Sequence, residues 1–259
     1  MQVVESTKGT ERTLREWLSE GPFTLVMSSG FFGFFAHTGA LEVLEDAGLL
    51  PTHVSGSSAG ALVTGSWAAG IDAPILAGEL ERLERAHFWD PSWGPGLLRG
   101  RRFRDKLEAM LGGASFERAR ARSTVSVFDV RTRSTHVVSH GALAPALHAS
   151  CAVPFLFHPV VLGGRPYLDG GILDRPGLLG VPDDGRRVLF HHLASKSPWR
   201  ATLDMPERVG MVTLVMDGLP RSGPFNLGEG RRALSAARRA MKAALDAPLG
   251  RGALVVPAG

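Results

Sequence analysis

Short apolar runs alternate with helical patterns along most of the chain, and this alternation restricts the possible fold more than any other feature. Thr24–Met27 is an apolar run typical of a buried strand, and a helix with Leu41 and Leu44 on its apolar face follows. Glu42 is predicted to face water, and Gly48 to end the helix. Because alternating strands and helices build parallel sheets covered by helices, the sequence predicts a three-layer α/β fold with a largely parallel central sheet.

The same alternation continues to the end of the chain, and no repeat or low-complexity linker divides it. Helices are predicted over 13–18, 61–69, 74–86, 102–111, 143–150 and 229–245, the last of them basic. Strands are predicted over 124–129, 135–139, 160–162, 188–190 and 212–215, and the Gly- and Trp-rich residues 87–100 predict a loop. A chain of 259 residues can bury one large core. We therefore predict a single domain over 1–259, with its motifs within 23–175.

Composition and charge exclude several classes of protein. No apolar run approaches the ~18 residues that span a membrane, and the polar segment 1–20 has no signal-peptide core, so we expect a cytoplasmic protein. The single cysteine, Cys151, excludes an intrachain disulfide. No histidine pair has the HExxH spacing, and we expect neither a metal nor a cofactor. The net charge of +4 allows peripheral contact with an anionic membrane surface; no nucleic-acid partner is expected, and the oligomeric state stays open.

The motif Gly56-Ser57-Ser58-Ala59-Gly60 has the G-x-S-x-G pattern of a nucleophile elbow. Val54 leads into it from an apolar segment and a helical pattern follows it, so the serine lies between a strand and a helix. Flanking glycines keep such a turn free of Cβ clashes, and the N-terminus of the next helix faces a developing oxyanion. On its own, the motif also fits a Gly/Ser-rich turn at a helix start.

Two further segments fit chemistry at Ser58. Asp169, in the sequence Asp169-Gly170-Gly171, is a candidate base, although Asp-Gly-Gly is also a good turn without function. The loop Ser28-Ser29-Gly30-Phe31-Phe32-Gly33 precedes the elbow by about one βα unit. Small residues there allow backbone N–H groups to point at an anion, as in an oxyanion hole. A tight loop that merely packs on the sheet is the alternative.

Together these three elements resemble the patatin-like phospholipase family. That family has a glycine-rich loop after its first strand, then a G-x-S-x-G elbow, then a downstream Asp-Gly-Gly or Asp-Gly-Ala, and all three occur here in that order. The segments 39–48 and 148–155 also look like the family's helix between loop and elbow and its proline turn before the aspartate. The resemblance covers about residues 23–175, and the combination is far more specific than any single motif.

The resemblance implies a lipid acyl hydrolase of the phospholipase A or carboxylesterase type, which cleaves acyl esters through a Ser–Asp dyad and an acyl-enzyme. Ser58 would be the nucleophile and Asp169 the general base. The oxyanion hole would be formed by the backbone of Gly30, Phe31, Phe32 and Ala59. The motif glycines are Gly33, Gly56, Gly60, Gly170 and Gly171.

The loop departs from the family pattern, which reads as three glycines, a variable residue, a basic residue and a glycine. Ser28 and Ser29 replace the first two glycines, and Phe32 replaces the basic residue. Because the expected donors are main-chain groups, Phe32 need not abolish catalysis. It does remove a basic side chain that would meet an anionic head group, and the more apolar loop favours acyl chains.

Other residues carry weaker signals. Aromatic and basic residues that suit a membrane interface, or alternatively a loop packed over the core, are Trp89, Trp93, Leu97, Leu98, Arg99, Arg101, Arg102 and Arg104. In the last helix an apolar stripe is predicted to pack on the core, and Arg231, Arg238 and Lys242 lie opposite it. His37, His148 and His158 are expected to be packed or capping residues. Asp129 is expected to pair with Arg131 or Arg133.

Two other functions remain open. The first is an ordinary α/β-hydrolase triad, since Ser58, Asp169 and His191 or His192 occur in that chain order. Only 57 residues precede Ser58, which is few for the strands that normally come before such an elbow. The second is a non-catalytic lipid-binding member of the same fold, suggested by the altered loop. The presence of both Ser58 and Asp169 argues against it.

Overall fold

The computed structural model describes residues 12–194, 205–250 and 252–258, and shows an α/β fold in which helices flank a central nine-stranded sheet. The helices are α1 (Leu14–Ser19), α2 (Phe34–Asp46), α3 (Ala59–Ala68), α4 (Ala73–Glu81), α5 (Arg101–Leu111), α6 (Leu143–Ser150) and α7 (Leu227–Leu245). The strands are β1 (Thr24–Met27), β2 (His53–Ser57), β3 (Gly96–Leu98), β4 (Arg122–Asp129), β5 (Ser134–Val138), β6 (Phe155–Phe157), β7 (Val160–Leu162), β8 (Arg165–Asp169), β9 (Val188–Leu193), β10 (Met211–Asp217) and β11 (Leu254–Pro257).

The sheet is parallel through most of its width and antiparallel at one side. Its order is β11-β10-β9-β1-β2-β4-β8-β7, with β5 also paired to β4. The strands from β11 to β4 run parallel to one another, whereas β5, β8 and β7 make antiparallel pairs. The largely parallel sheet predicted from the sequence is confirmed. Strands β3 and β6 form a separate two-stranded parallel sheet.

The sheet topology directs Asp169 towards the end of β2. Ser57, the last residue of β2, pairs with Ser126 of β4, and Asp169, the last residue of β8, pairs with the next residue, Val127. β2 runs parallel to β4 and β8 runs antiparallel to it, so the two strands approach each other along β4 from opposite directions. Their carboxyl ends meet at the adjacent positions 126 and 127 of β4. The residues that follow the two strands are therefore neighbours, although 111 positions separate Ser58 from Asp169 in the sequence.

Alternating residues of the central strands pack into different apolar clusters. Leu25 and Met27 of β1 join a large cluster with residues of α2, α3 and α7. Val26, between them, packs with Phe190 of β9 and with Leu178 of a non-helical segment on the other side. Among the described residues, no helix is both long and apolar enough to cross a bilayer.

Four details of the fold correct the sequence predictions. The helix expected over 74–86 ends at Glu81, since Glu84 is extended and Arg85–His87 forms a separate 3-10 turn. The loop expected over 87–100 contains β3. Strands β3, β6, β8 and β11 were not predicted. The helix expected over 13–18 is α1, which lies one residue further along the chain.

Glu42 does not face water, contrary to the sequence prediction. Helix α7 packs on α2, and Glu42 is only 7% exposed beneath it. The guanidinium of Arg238 donates to both carboxylate oxygens of Glu42, at 2.5 and 2.6 Å. Arg238, expected on the solvated side of the last helix, is thus a half-buried partner of α2. The apolar stripe of α7 is buried, as predicted.

Candidate active site

The chain turns sharply at Ser58, between β2 and α3. Ser58 has φ 50° and ψ −118°, a conformation that residues with a side chain rarely adopt and that costs on the order of 1–3 kcal/mol. Glycine is required on both sides of the turn. A Cβ at Gly56 would lie 2.5 Å from the backbone nitrogen of Ala61, and a Cβ at Gly60 would overlap the carbonyl oxygen of Met27. The G-x-S-x-G sequence therefore forms a strained strand-to-helix turn with Ser58 at its apex.

The Ser58 hydroxyl donates a hydrogen bond directly to Asp169. The distance from Ser58 Oγ to Asp169 Oδ2 is 2.6 Å, and both residues are buried. The other carboxylate oxygen of Asp169 accepts from the Gly171 N–H at 2.7 Å. The Asp169 N–H donates to the carbonyl of Ala152 at 2.9 Å. Hydrogen bonds at the Asp169 N–H and at Oδ1 thus hold the carboxylate so that Oδ2 faces Ser58.

Burial raises the pKa of Asp169 to about 6, because a charge is disfavoured away from water. The hydrogen bonds from Ser58 and Gly171 act in the opposite direction, since they stabilise the carboxylate. Burial, and then the charge of Asp169, also raise the pKa of the Cys151 thiol, whose Sγ donates to the Ser58 carbonyl at 3.3 Å. A carboxylate with a pKa near 6 is a better proton acceptor than an ordinary aspartate and is still ionised at neutral pH.

The loop after β1 leaves several backbone N–H groups without acceptors. Gly33 N–H donates to the Gly30 carbonyl at 2.8 Å, which closes a tight turn, and Phe32 within it has φ 54°. The N–H groups of Gly30, Phe31 and Phe32 donate to no acceptor in the described part of the chain. The same holds for Ala59, the first residue of α3. Free N–H groups of this kind stabilise a developing oxyanion when they converge on it.

The two serines that replace glycines in this loop are tied to the neighbouring structure. Ser28 Oγ accepts from the Leu193 N–H at 3.2 Å, and Ser28 N–H donates to the His191 carbonyl at 3.2 Å, so the residue is held to the end of β9 from two sides. The Ser29 N–H donates to the Arg175 carbonyl at 2.8 Å. Only the bond to Ser28 Oγ depends on a side chain, so the departure from a glycine run adds one anchoring hydrogen bond at the loop's entrance.

His37 and His191 form a buried hydrogen-bonded pair beside this loop. Their Nδ1 atoms lie 2.9 Å apart, and His37 Nε2 lies 2.8 Å from the carbonyl oxygen of Ser28. Because a carbonyl only accepts, His37 Nε2 carries the proton and His191 Nδ1 donates to His37 Nδ1. Burial lowers the pKa of His37 to about 3 and that of His191 well below its usual value, so both rings are neutral.

The histidine required by the triad alternative is not at the serine. Within the described residues neither His191 nor His192 is hydrogen-bonded to Ser58 or Asp169, which contact each other directly. The other two histidines near the motifs are packed, as expected from the sequence. His148 lies edge-on to Phe103, where burial lowers its pKa to about 4, and His158 lies 3.1 Å from the Gly96 carbonyl.

Sequence reasoning missed Asp174, a buried carboxylate behind the elbow. It accepts from Ser126 Oγ at 2.6 Å and from three backbone N–H groups of residues 177–179. Gly177 in that segment packs against the backbone of Gly56, where no side chain would fit. Asp174 therefore supports the elbow from below. Its neighbours in the sequence, an ordinary Asp-Arg-Pro run, give no signal of this role.

Asp129 forms a different ion pair from the one expected. Its carboxylate lies 3.4 Å from Nη1 of Arg165 on β8, while Arg131 contributes only its backbone N–H at 2.8 Å. The reason is the strand order. β8 lies beside β4, so the arginine at its start reaches the end of β4, whereas Arg131 belongs to the turn that Asp129 itself caps.

An apolar cleft that is partly open to solvent is lined by Ser58 and by residues of the loop after β1. Helices α4 and α5 contribute to its wall, and its apolar lining includes Phe32, Phe34, Leu76, Leu80, Phe103 and Met110. Two charged residues on this wall, Glu79 and Lys106, bind each other across the gap between α4 and α5. Gly30, Phe31, Phe32 and Ser58 all line this cleft, so the site combines a nucleophile with space for an apolar chain.

The chain belongs to the patatin-like phospholipase family, since the family model matches residues 25–180, more than half of the chain. Among curated relatives, an NTE family protein of Mycobacterium tuberculosis is 31% identical over 153 residues, which are 58% of this chain and 42% of that protein. Triacylglycerol lipase ptl3 of Schizosaccharomyces pombe is 28% identical over 176 residues, 57% of this chain and 36% of the lipase. The matches thus span less than half of these relatives' length.

The fold is also found among solved structures. The crystal structure of VipD from Legionella pneumophila has a TM-score of 0.53 with this chain at 17% sequence identity, over 75% of this chain and 50% of VipD. At that identity the likeness concerns the fold alone. It extends beyond the family match, which ends at residue 180, because three quarters of the chain are superposed.

Proposed function

We propose that this protein is a lipid acyl hydrolase that cleaves carboxylic esters with Ser58 as nucleophile and Asp169 as the sole general base. The observation that carries the proposal is the direct 2.6 Å hydrogen bond from Ser58 Oγ, which lines an apolar cleft, to Asp169 Oδ2. Membership of the patatin-like phospholipase family and the similarity to a triacylglycerol lipase support the same class of reaction.

The reaction would proceed through an acyl-enzyme. Asp169 takes the proton of Ser58 Oγ as this oxygen attacks the ester carbonyl carbon, and the negative charge moves to the carbonyl oxygen. The N–H groups of Gly30, Phe31, Phe32 and Ala59 stabilise that oxyanion. The intermediate collapses with loss of the alcohol, which receives the proton from Asp169. Water, activated in turn by Asp169, then releases the fatty acid and restores the serine.

The substrate would place its acyl chain in the apolar cleft. Phe32 lies against Phe34 and Phe88, with ring centroids 5.3 and 5.8 Å apart, so the position where a basic residue is usual contributes to the apolar wall instead. Phe32 therefore favours acyl-chain contacts over an ionic contact with a head group. Phospholipids and neutral glycerides both fit this description, since the cleft recognises the chain that they share.

The experiment is turnover of p-nitrophenyl esters of increasing chain length, together with labelling by a fluorophosphonate probe. Ser58→Ala is expected to abolish both, because no other hydroxyl donates to Asp169 in the described part of the chain. Ser57→Ala is the matched control. Its hydroxyl is buried without a hydrogen-bond partner, so the substitution should preserve turnover. Unchanged hydrolysis by purified Ser58→Ala would refute the assignment, and a wild type that binds lipid without labelling would support the non-catalytic alternative.

A double replacement of His191 and His192 by asparagine separates the dyad from a triad. The dyad predicts that a folded double variant keeps most of its turnover, because neither ring is hydrogen-bonded to the serine or the aspartate. If that variant is folded, as judged by circular dichroism, and is as inactive as Ser58→Ala, the α/β-hydrolase mechanism replaces the dyad.

A further inference from the structure

The small β3–β6 sheet carries a concentration of exposed apolar side chains. Trp93 just before β3 is completely exposed, and Phe155 at the start of β6 is 88% exposed. Leu97 of β3 is 49% exposed. Leu98, which the sequence placed on the same surface, is instead buried, and Trp89 packs against Phe225. Large aromatic rings fully in water are unfavourable unless a partner covers them.

This surface is continuous with the cleft that holds Ser58. The residues next to Phe155 along the chain, Val153, Leu156 and Phe157, line the cleft, and Phe157 pairs with Leu98 of β3. A binding partner that covered Trp93 and Phe155 would therefore also contact the wall of the cleft.

The backbone at Phe155 supports a role for its exposed ring. Phe155 has φ 64°, in the left-handed region that a bulky residue adopts only at a cost of about 1–2 kcal/mol. Glycine or asparagine would hold this turn with less strain, and a polar residue would suit the exposure. Strain of this kind together with an exposed aromatic ring is a combination found at binding sites.

The charges beside the exposed rings are positive. Arg99 and Arg101 are exposed, and neither makes an ion pair with a described residue. Asp90, which precedes Trp93, accepts hydrogen bonds from the backbone N–H groups of residues 100–102 at the start of α5. The surface thus presents aromatic rings and unpaired guanidinium groups, a composition complementary to lipid tails beneath anionic head groups.

We propose that Trp93, Leu97, Phe155, Arg99 and Arg101 form a docking face that binds the surface of an anionic lipid membrane and brings the cleft to its substrate. The rings of Trp93 and Phe155 enter the interfacial layer, while the two arginines meet lipid phosphates. The membrane would thus be the partner of the same site. Only the purpose of binding, which is to deliver the cleft to a lipid substrate, rests on the proposed function; the binding itself does not depend on hydrolysis.

Co-sedimentation with vesicles of phosphatidylcholine, alone or mixed with phosphatidylglycerol, tests the docking face. The variant Trp93→Ser with Phe155→Asn is expected to lose at least tenfold in affinity for both kinds of vesicle. The variant Arg99→Gln with Arg101→Gln should lose about fivefold per arginine, only on the anionic vesicles and only at low salt. Val209→Ser is the matched control. Val209 is 81% exposed just before β10, at the edge of the parallel sheet opposite the carboxyl ends where Ser58 lies.

Hydrolysis of soluble p-nitrophenyl butyrate separates this inference from the proposed function. Wild-type protein that hydrolyses the ester yet binds no vesicles, or an aromatic variant that binds them as tightly as the wild type, overturns the docking face. Sedimentation velocity tests whether a second copy of the chain occupies the face instead. A wild-type dimer that becomes monomeric in the aromatic variant would assign the face to that second copy. Wild-type protein that binds vesicles through this face but hydrolyses nothing would refute the proposed function and leave the docking face standing.

Discussion

Asp169 is ionisable, buried and without a cationic partner among the described residues, and this gives the protein a specific pH dependence. Its carboxylate is stabilised only by hydrogen bonds from Ser58 and Gly171, and its pKa is raised to about 6. A general base acts in its ionised form. We expect kcat/KM for a soluble ester to fall as the pH drops through about 6, with a slope of one proton. A profile that is flat down to pH 4.5 would show that Asp169 is not the base.

Replacement of Asp169 by asparagine should remove activity and increase stability. A carboxyl group whose pKa is raised by folding stabilises the native state fully below its unfolded pKa, and this contribution is lost as the pH rises through about 6. At pH 8 the native protein therefore holds a buried charge that asparagine lacks. We expect Asp169→Asn to raise the free energy of unfolding at pH 8 by on the order of 2 kcal/mol. Urea unfolding at pH 8 and pH 4 measures this, and most of the difference between the wild type and the variant should disappear at pH 4.

Sequence reasoning found the residues with a motif and missed those whose partners are distant. Ser58 and Asp169 were chosen because each lies in a short pattern, and the structure brings them into contact. The pairing of His37 with His191 joins residues 154 positions apart. Nothing in the sequence around either histidine distinguishes it from a packed core residue. The ion pair between Asp129 and Arg165 was missed for the same reason, since it depends on the antiparallel placement of β8.

At the scale of elements, close packing on α7 fixes the position of α2, the helix that follows the loop after β1. A Cβ at Gly39 of α2 would overlap the carbonyl oxygen of Leu234, so the two helices approach as closely as glycine permits. We expect Gly39→Ala to lower the free energy of unfolding by on the order of 1–3 kcal/mol. Gly228→Ala, an exposed position of α7 with no atom within 4 Å of the added methyl, should instead raise it slightly. Thermal unfolding of both variants checks the sign, and equal effects would contradict the packing argument.

The elements that were predicted and those that were missed differ in their sequence patterns. β1 and β10 are continuous apolar runs, and their existence was clear, although the bounds of β10 moved by one or two residues. β8 begins with Arg165 and Pro166 after two glycines, which reads as a turn and not as a strand. It forms nonetheless because β4 and β7 supply hydrogen-bonding partners on its two sides. Short strands of this kind are determined by tertiary pairing and not by local preference.

At the scale of the whole molecule, the family motifs depend on chain beyond the family match. The match ends at residue 180, yet β9, β10 and β11 continue the same sheet on the far side of β1. β9 pairs with the whole length of β1, and its end holds Ser28 at the entrance of the loop. α7 covers α2. The loop that supplies the candidate oxyanion donors is thus supported by β9 and α7, which carry none of the catalytic motifs.

A chain truncated after residue 182 should therefore lose hydrolysis although it keeps Ser58, Asp169 and every motif glycine. Without β9, the central strand β1 becomes an exposed edge, and the hydrogen bonds that Ser28 makes to His191 and Leu193 are lost. We expect the truncated chain to be insoluble or to show no measurable turnover of p-nitrophenyl butyrate. The control is the same chain refolded together with a separate 183–259 peptide, which should recover part of the activity, because β9 can pair with β1 from a second chain. Full activity of the truncated chain alone would show that the matched region forms the site independently of the remaining sheet.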